Sequence, residues 1–195
     1  MREQEWRCSA CSNLEAVECP NCDALGYARP TTLVIDGPRS DIVIQGRGDP
    51  APAGAMNAIG AGPNLVSYDE TIGAYVNIPA DDHNVNIVEH AANTAVGLRR
   101  IVGPDGESIV TGLVLVTADG RDGCPETDAT CGIDAYRMAY FMRDALNVTV
   151  AMEMDQGGST TMFVRGEGVD GVVSCSGGCG SGPRAVFDGL FVGLE

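Results

Sequence analysis

Short apolar runs, each closed within a few residues by Gly, Pro or Asp, recur along most of this chain, and that punctuation leaves room for little besides strands. Residues 31–35 and 41–44 read as two short strands after the Arg29-Pro30 break. Residues 46–54 form a Gly/Pro loop. Further on, residues 94–98 make a small-residue strand, Pro104, Asp105 and Gly106 make a turn, and residues 112–118 make a strand apolar on both faces, which predicts a central position in a sheet. Residues 148–154, 161–164 and 185–192 complete the series. One segment keeps a different period. Between residues 132 and 146, Ile133, Tyr136 and Tyr140, and likewise Ala139, Met142 and Leu146, recur at three- and four-residue steps, so an amphipathic helix is expected there. Many strands and one clear helix predict an α+β domain, with a central mixed but largely antiparallel sheet and few helices.

At 195 residues the chain is long enough for one domain with a real core and a small appendage. Residues 1–28 are rich in Cys and poor in hydrophobic periodicity, so they read as the appendage and residues 29–195 as the main domain. Cys8, Cys11, Cys19 and Cys22 form two CxxC units, which fit either a tetrahedral zinc site or disulfides, the gap between the units being short for a zinc ribbon. No other cofactor is required. Cys124 with Cys131 and Cys175 with Cys179 are close pairs in loop-like sequence, simplest as local disulfides, which predicts a secreted or extracytoplasmic protein. No signal peptide is visible in residues 1–30, and no apolar run is long enough for a membrane span.

The charge balance excludes whole reaction classes. The formal net charge is -15 and all 12 basic residues are Arg, so neither a Schiff-base Lys nor a P-loop Lys is available. A chain this acidic repels polyanions, which argues against nucleic-acid binding. The Gly-rich residues 57–66 contain no GxGxxG and no GK[ST], so no nucleotide loop is supported.

The densest chemistry lies at residues 151–162, where an apolar run meets Asp155, then Gly157 and Gly158, then Ser159, Thr160 and Thr161. Asp and Gly are depleted from strands, so a strand ends here. Two readings fit: a tight hairpin whose Asp bonds its own turn, or a rim where Asp155 and the N–H and hydroxyl groups of residues 157–161 meet an oxygen-rich ligand. If residues 148–155 are extended, Glu153 and Asp155 share a face about 7 Å apart, a separation suited to paired carboxylates in glycoside hydrolysis. Asp119, followed by Gly120 and Arg121, ends another apolar strand in the same way, so both acidic ends are expected at one edge of the sheet. Arg184 is a further candidate anion ligand. His83 and His90 lack a metal-binding pattern and read as surface or structural.

Residues 94–97, 115–121, 132–133, 155–161 and 182–186, taken in that order, resemble the phosphodiester glycosidase family, and residues 59–66 resemble its Gly-Pro-x-Leu-Val segment. The resemblance covers about residues 57–195. It implies cleavage of the bond between a sugar's anomeric carbon and a phosphate oxygen, with a glycan or sugar phosphodiester as partner. It also implies roles: Asp155 as base or nucleophile, Glu153 or Asp119 assisting, and Arg121, Gly157, Gly158, Ser159, Thr160 and Arg184 holding phosphate or sugar oxygens. Three positions depart from the family's usual pattern: Asn93 stands where Arg is usual, Glu153 where Asn is usual, and Gln156 where Gly is common. A binding protein of the same fold without turnover, and a phosphodiesterase of cell-envelope polymers, are the alternatives.

Overall fold

The structure is a computed structural model and describes residues 31–36, 39–44, 57–78, 87, 90–120, 131–168, 171–175, 190 and 192. Its strands form three sheets. β1 (Thr31–Ile35), β2 (Asp41–Ile44) and β3 (Asn57–Ala61) pair in the order β2-β1-β3. β4 (Asn64–Asp69), β5 (Gly73–Val76), β6 (Asn93–Val102), β7 (Ser108–Ala118) and β8 (Val150–Gln156) make a five-stranded sheet in the order β5-β4-β8-β6-β7. β9 (Thr161–Phe163) and β10 (Val172–Cys175) pair with each other. Every pairing among these strands is antiparallel. With a single packed helical segment beside them among the described residues, the fold is α+β and mostly antiparallel.

Alternation along β6 and β8 explains the layering. Val96 and Leu98 from β6, with Val150 and Met152 from β8, face one way and pack on Leu33, Ile42 and Ala61 of the three-stranded sheet. Ala95 and Ala151 face the other way and meet the helix. That helix, α1 (Ala135–Tyr140), begins at Asp134, whose Oδ1 accepts the Arg137 N–H at 2.7 Å, and the chain continues through wider π-type turns at Phe141–Ala145. Ala135, Met138, Ala139 and Met142 supply its buried stripe. Burying each Met contributes about 1.5–3 kcal/mol. The approach is close because Gly97 has no side chain: a Cβ there would lie 2.5 Å from Val148 Cγ1 and 2.7 Å from Met142 Cε.

Two expectations need correction, for β7 and for Cys175, and two further segments gain detail. The strand over residues 112–118 is not central: β7 is an edge strand of the five-stranded sheet, and Leu113 and Leu115 are exposed at 41% and 36%. Val110 of β7 reaches the cluster between the two sheets, whereas Leu113 and Leu115 stay outside it. Of the two helical stripes, the one containing Ala139 and Met142 is buried, whereas Tyr136 and Tyr140 face outward. The Gly-rich residues 59–66 are strand on both sides of a cis Gly62-Pro63 bond, belonging to β3 and β4. Cys175 ends β10 and is not in a loop. The expected strand at residues 185–192 and the loop at residues 46–54 fall outside the described residues, apart from Leu190, which packs on the cluster between the two sheets, and Val192.

Candidate active site at one end of the five-stranded sheet

The site grows from the start of β6, which lies between the last residues of β7 and β8. Asn93 is in register with Ala118 of β7 and with Gln156 of β8, Thr94 with Asp155, and Ala95 with Glu153. Asp119 follows Ala118 directly. The three acidic candidates thus come to one end of one sheet, on the two strands that flank β6.

Their environments differ. Glu153 is 2% exposed, is opposite Ala95, and so lies on the helix-covered face. Its N–H donates to Pro63 O at 3.0 Å, which ties β8 to the cis Gly62-Pro63 bend. Asp119 is exposed, and its Oδ1 accepts the Ser174 hydroxyl at 2.6 Å, which fastens the β9–β10 pair to the end of β7. Asp155 is described by its backbone. A β-bulge separates it from Glu153, because Thr94 and Ala95 are adjacent on β6 while their partners are two apart on β8. Two-residue alternation does not carry across a bulge, so the expectation that Glu153 and Asp155 share a face has no footing here.

Beyond Gln156 the chain makes one 3-10 turn, Gly157–Ser159, with Gly157 at φ 66°. Gly157 N–H donates to Ala92 O at 2.8 Å, Thr160 N–H to Gly157 O at 3.0 Å, and Ser159 Oγ to Gln156 O at 3.1 Å. The strand that follows does not return along β8. It leaves the sheet and pairs with β10, so the segment is a passage between two sheets and the tight-hairpin reading fails.

The same end holds groups that sequence reasoning undervalued. His90 is 6% exposed and its Nε2 lies 3.3 Å from Asp134 Oδ2, so it is a buried structural residue and not a surface one. The helix-capping pattern at Asp134 was the available signal; the His90 partnership crosses 44 positions and had none. Gly120 is needed for close approach, since a Cβ there would collide with Ala92 N and Cys131 O. Cys131 is buried and disulfide-bonded, and a reciprocal pair of bonds between Ala91 and Ile133 (3.4 and 3.1 Å) ties the start of α1 to the segment before β6. Asn93, noted above only as a departure, is 0% exposed. Arg121, Arg184, His83 and the N-terminal cysteines Cys8, Cys11, Cys19 and Cys22 lie outside the described residues. Among the described residues, no three His, Cys, Asp or Glu side chains group closely enough for a metal ion, and no helix is long and apolar enough to cross a membrane.

Stacked antiparallel sheets with one packed helix among the described residues define an α+β protein. The phosphodiester glycosidase family model matches residues 24–193, and the chain belongs to that family. No curated protein matches it. A crystal structure of a hypothetical protein from Synechocystis is similar at 15% identity with a TM-score of 0.37, over 67% of this chain and 29% of that one.

Proposed function

We propose that this protein is a secreted or extracytoplasmic hydrolase that cleaves the glycosidic bond of a sugar phosphodiester at the end of the five-stranded sheet. The observation that carries the reading is the convergence of Asp119, Glu153 and Asp155 on the start of β6, in a chain that belongs to the phosphodiester glycosidase family. A phosphodiester is already a good leaving group. Protonating it therefore matters less than balancing its charge and stabilising the oxocarbenium-like sugar. In this reading Asp155 acts as base or nucleophile and Glu153 supplies a second, desolvated carboxylate. Asp119 assists from β7 while holding the β9–β10 pair through Ser174. Arg121, Arg184 and the N–H and hydroxyl groups of residues 157–160 hold phosphate and sugar oxygens. Residues 1–28 form a separate appendage held by zinc or disulfides, and residues 29–195 form the catalytic domain.

The test is sugar release from a panel of glycosyl 1-phosphodiesters, with Asp155→Asn as the control. Loss of a general base or nucleophile is expected to lower kcat by roughly 100-fold to 10,000-fold. Unchanged turnover in that variant would remove Asp155 from the mechanism. No turnover on any substrate, with glycan binding retained, would leave a binding protein of the same fold.

A further inference from the structure

Two buried side chains at this end of the sheet are distinguished by what they lack. Asn93 is 0% exposed, and neither its Nδ2 nor its Oδ1 has a hydrogen-bond partner. Thr160 is likewise 0% exposed, with Oγ1 unpartnered. A buried amide or hydroxyl without a partner destabilises the chain that carries it, and native proteins keep few of them. The two belong to one place. Asn93 is opposite Gln156, and Thr160 is linked back to Ala92 through two bonds in series, Thr160 N–H to Gly157 O (3.0 Å) and Gly157 N–H to Ala92 O (2.8 Å). On β6 Asn93 shares a face with Ala95, the residue opposite Glu153, so its carboxamide is on the Glu153 side of the sheet.

We propose that Asn93, with Thr160 beside it, is a specificity-determining residue that reads an uncharged donor–acceptor group of the sugar, and not the phosphate. This rests on the sugar-phosphodiester reading of the site. The hydrogen-bond inventory sets the chemistry: a carboxamide has an N–H pair that needs acceptors and an oxygen that needs a donor. A phosphate oxygen at neutral pH accepts and would leave Oδ1 orphaned. A sugar hydroxyl, or the amide of an acylated amino sugar, brings donor and acceptor together and satisfies both ends, with the Thr160 hydroxyl able to play either part. Neither residue is exposed, so a sugar group reaches them as the adjoining chain yields. The segment suited to yielding is Gly157–Ser159, a single turn between two sheets and not part of a ladder.

Calorimetric titration and thermal shift with glucose, N-acetylglucosamine and inorganic phosphate test this on wild type, Asn93→Leu and Thr160→Val. At least one sugar is expected to bind wild type and raise its melting temperature. Asn93→Leu, which removes two orphaned groups and keeps the number of side-chain heavy atoms, is expected to melt no lower than wild type without sugar, yet to lose tenfold or more in sugar affinity. Thr160→Val moves the same way with a smaller loss, and phosphate affinity is unchanged in both. Amide hydrogen exchange at residues 157–160 is expected to change on sugar addition in wild type and not in Asn93→Leu. Should Asn93→Leu fail to fold, the smaller Asn93→Ala, which removes donor and acceptor without adding a charge, is expected to show the same tenfold loss. The proposal is overturned if neither sugar binds wild type, if sugar affinity survives in these variants, or if it is the phosphate affinity that falls. Failure of the hydrolase reading has a different signature: wild type that binds sugar through Asn93 yet releases none from a glycosyl phosphodiester.

Discussion

Gly97 fixes how near α1 lies to the five-stranded sheet. The atoms a Cβ would meet are Val148 Cγ1 and Met142 Cε. Met142 is flexible and can move, but Val148 is β-branched and 1% exposed. Gly97→Ala is therefore expected to destabilise by about 1–3 kcal/mol through overpacking, and Val148→Ala in the same chain should restore part of that loss. Urea denaturation of the two single variants and the double variant measures both; additive losses would mean that the contact is not the cause. At this scale the sequence is uneven evidence. The Gly in residues 94–98 announced a small-residue strand, but its partner Val148 could not be named without knowing that β8 lies beside β6.

Elements were easier to read than their edges and faces. Gly, Pro and Asp punctuation located β1, β2, β6, β7, β8 and β9 to within a few residues, because these types break strands by their own backbone chemistry. The bulge in β8 escaped, since it exists only in the register against β6. Apolar residues on both faces usually mean burial on both, which predicts a central β7, and nothing local tells that Leu113 and Leu115 stay outside the cluster between the sheets. The turn joining β4 to β5 is a purely local device. Asp69 Oδ1 accepts the N–H groups of Thr71 and Ile72 at 2.7 and 3.1 Å, and the bond from Thr71, then that from Ile72, holds its carboxyl below the ordinary value of 3.8. A depressed carboxyl pKa gives stability that is present above 3.8 and disappears as pH falls through the lower folded value. Wild type is thus expected to melt above Asp69→Ala at neutral pH, with the gap closing in strong acid. A gap independent of pH would show that ionisation is irrelevant to the turn.

The whole molecule carries a formal net charge of -15 after every Arg is counted, an excess that the ion pairs among the described residues leave in place. One of those pairs joins the two larger sheets: Arg100 Nη2 bonds the Asp41 carboxylate and donates to Ser40 O at 3.0 Å. Self-repulsion of the excess charge is long-ranged and yields to salt before so close a contact does. Raising ionic strength from about 0.01 to about 0.15 M shortens the screening length from about 30 to about 8 Å and is expected to raise the melting temperature. A chain held chiefly by its ion pairs would respond in the opposite sense. Composition made this charge plain, and strand count gave the α+β class, but the stacking order required contacts between residues as distant as Asp41 and Arg100. The acidic candidates were likewise legible as strand ends, whereas the burial of Asn93 and Glu153 is a property of the assembled layers. The passage at Gly157–Ser159, where the chain leaves the five-stranded sheet for the β9–β10 pair, has one more consequence. Because β9 has no ladder with β8, the small sheet is modular: its length and sequence can drift, or be exchanged for another arm, without re-registering the strands that carry Asp119, Glu153 and Asp155.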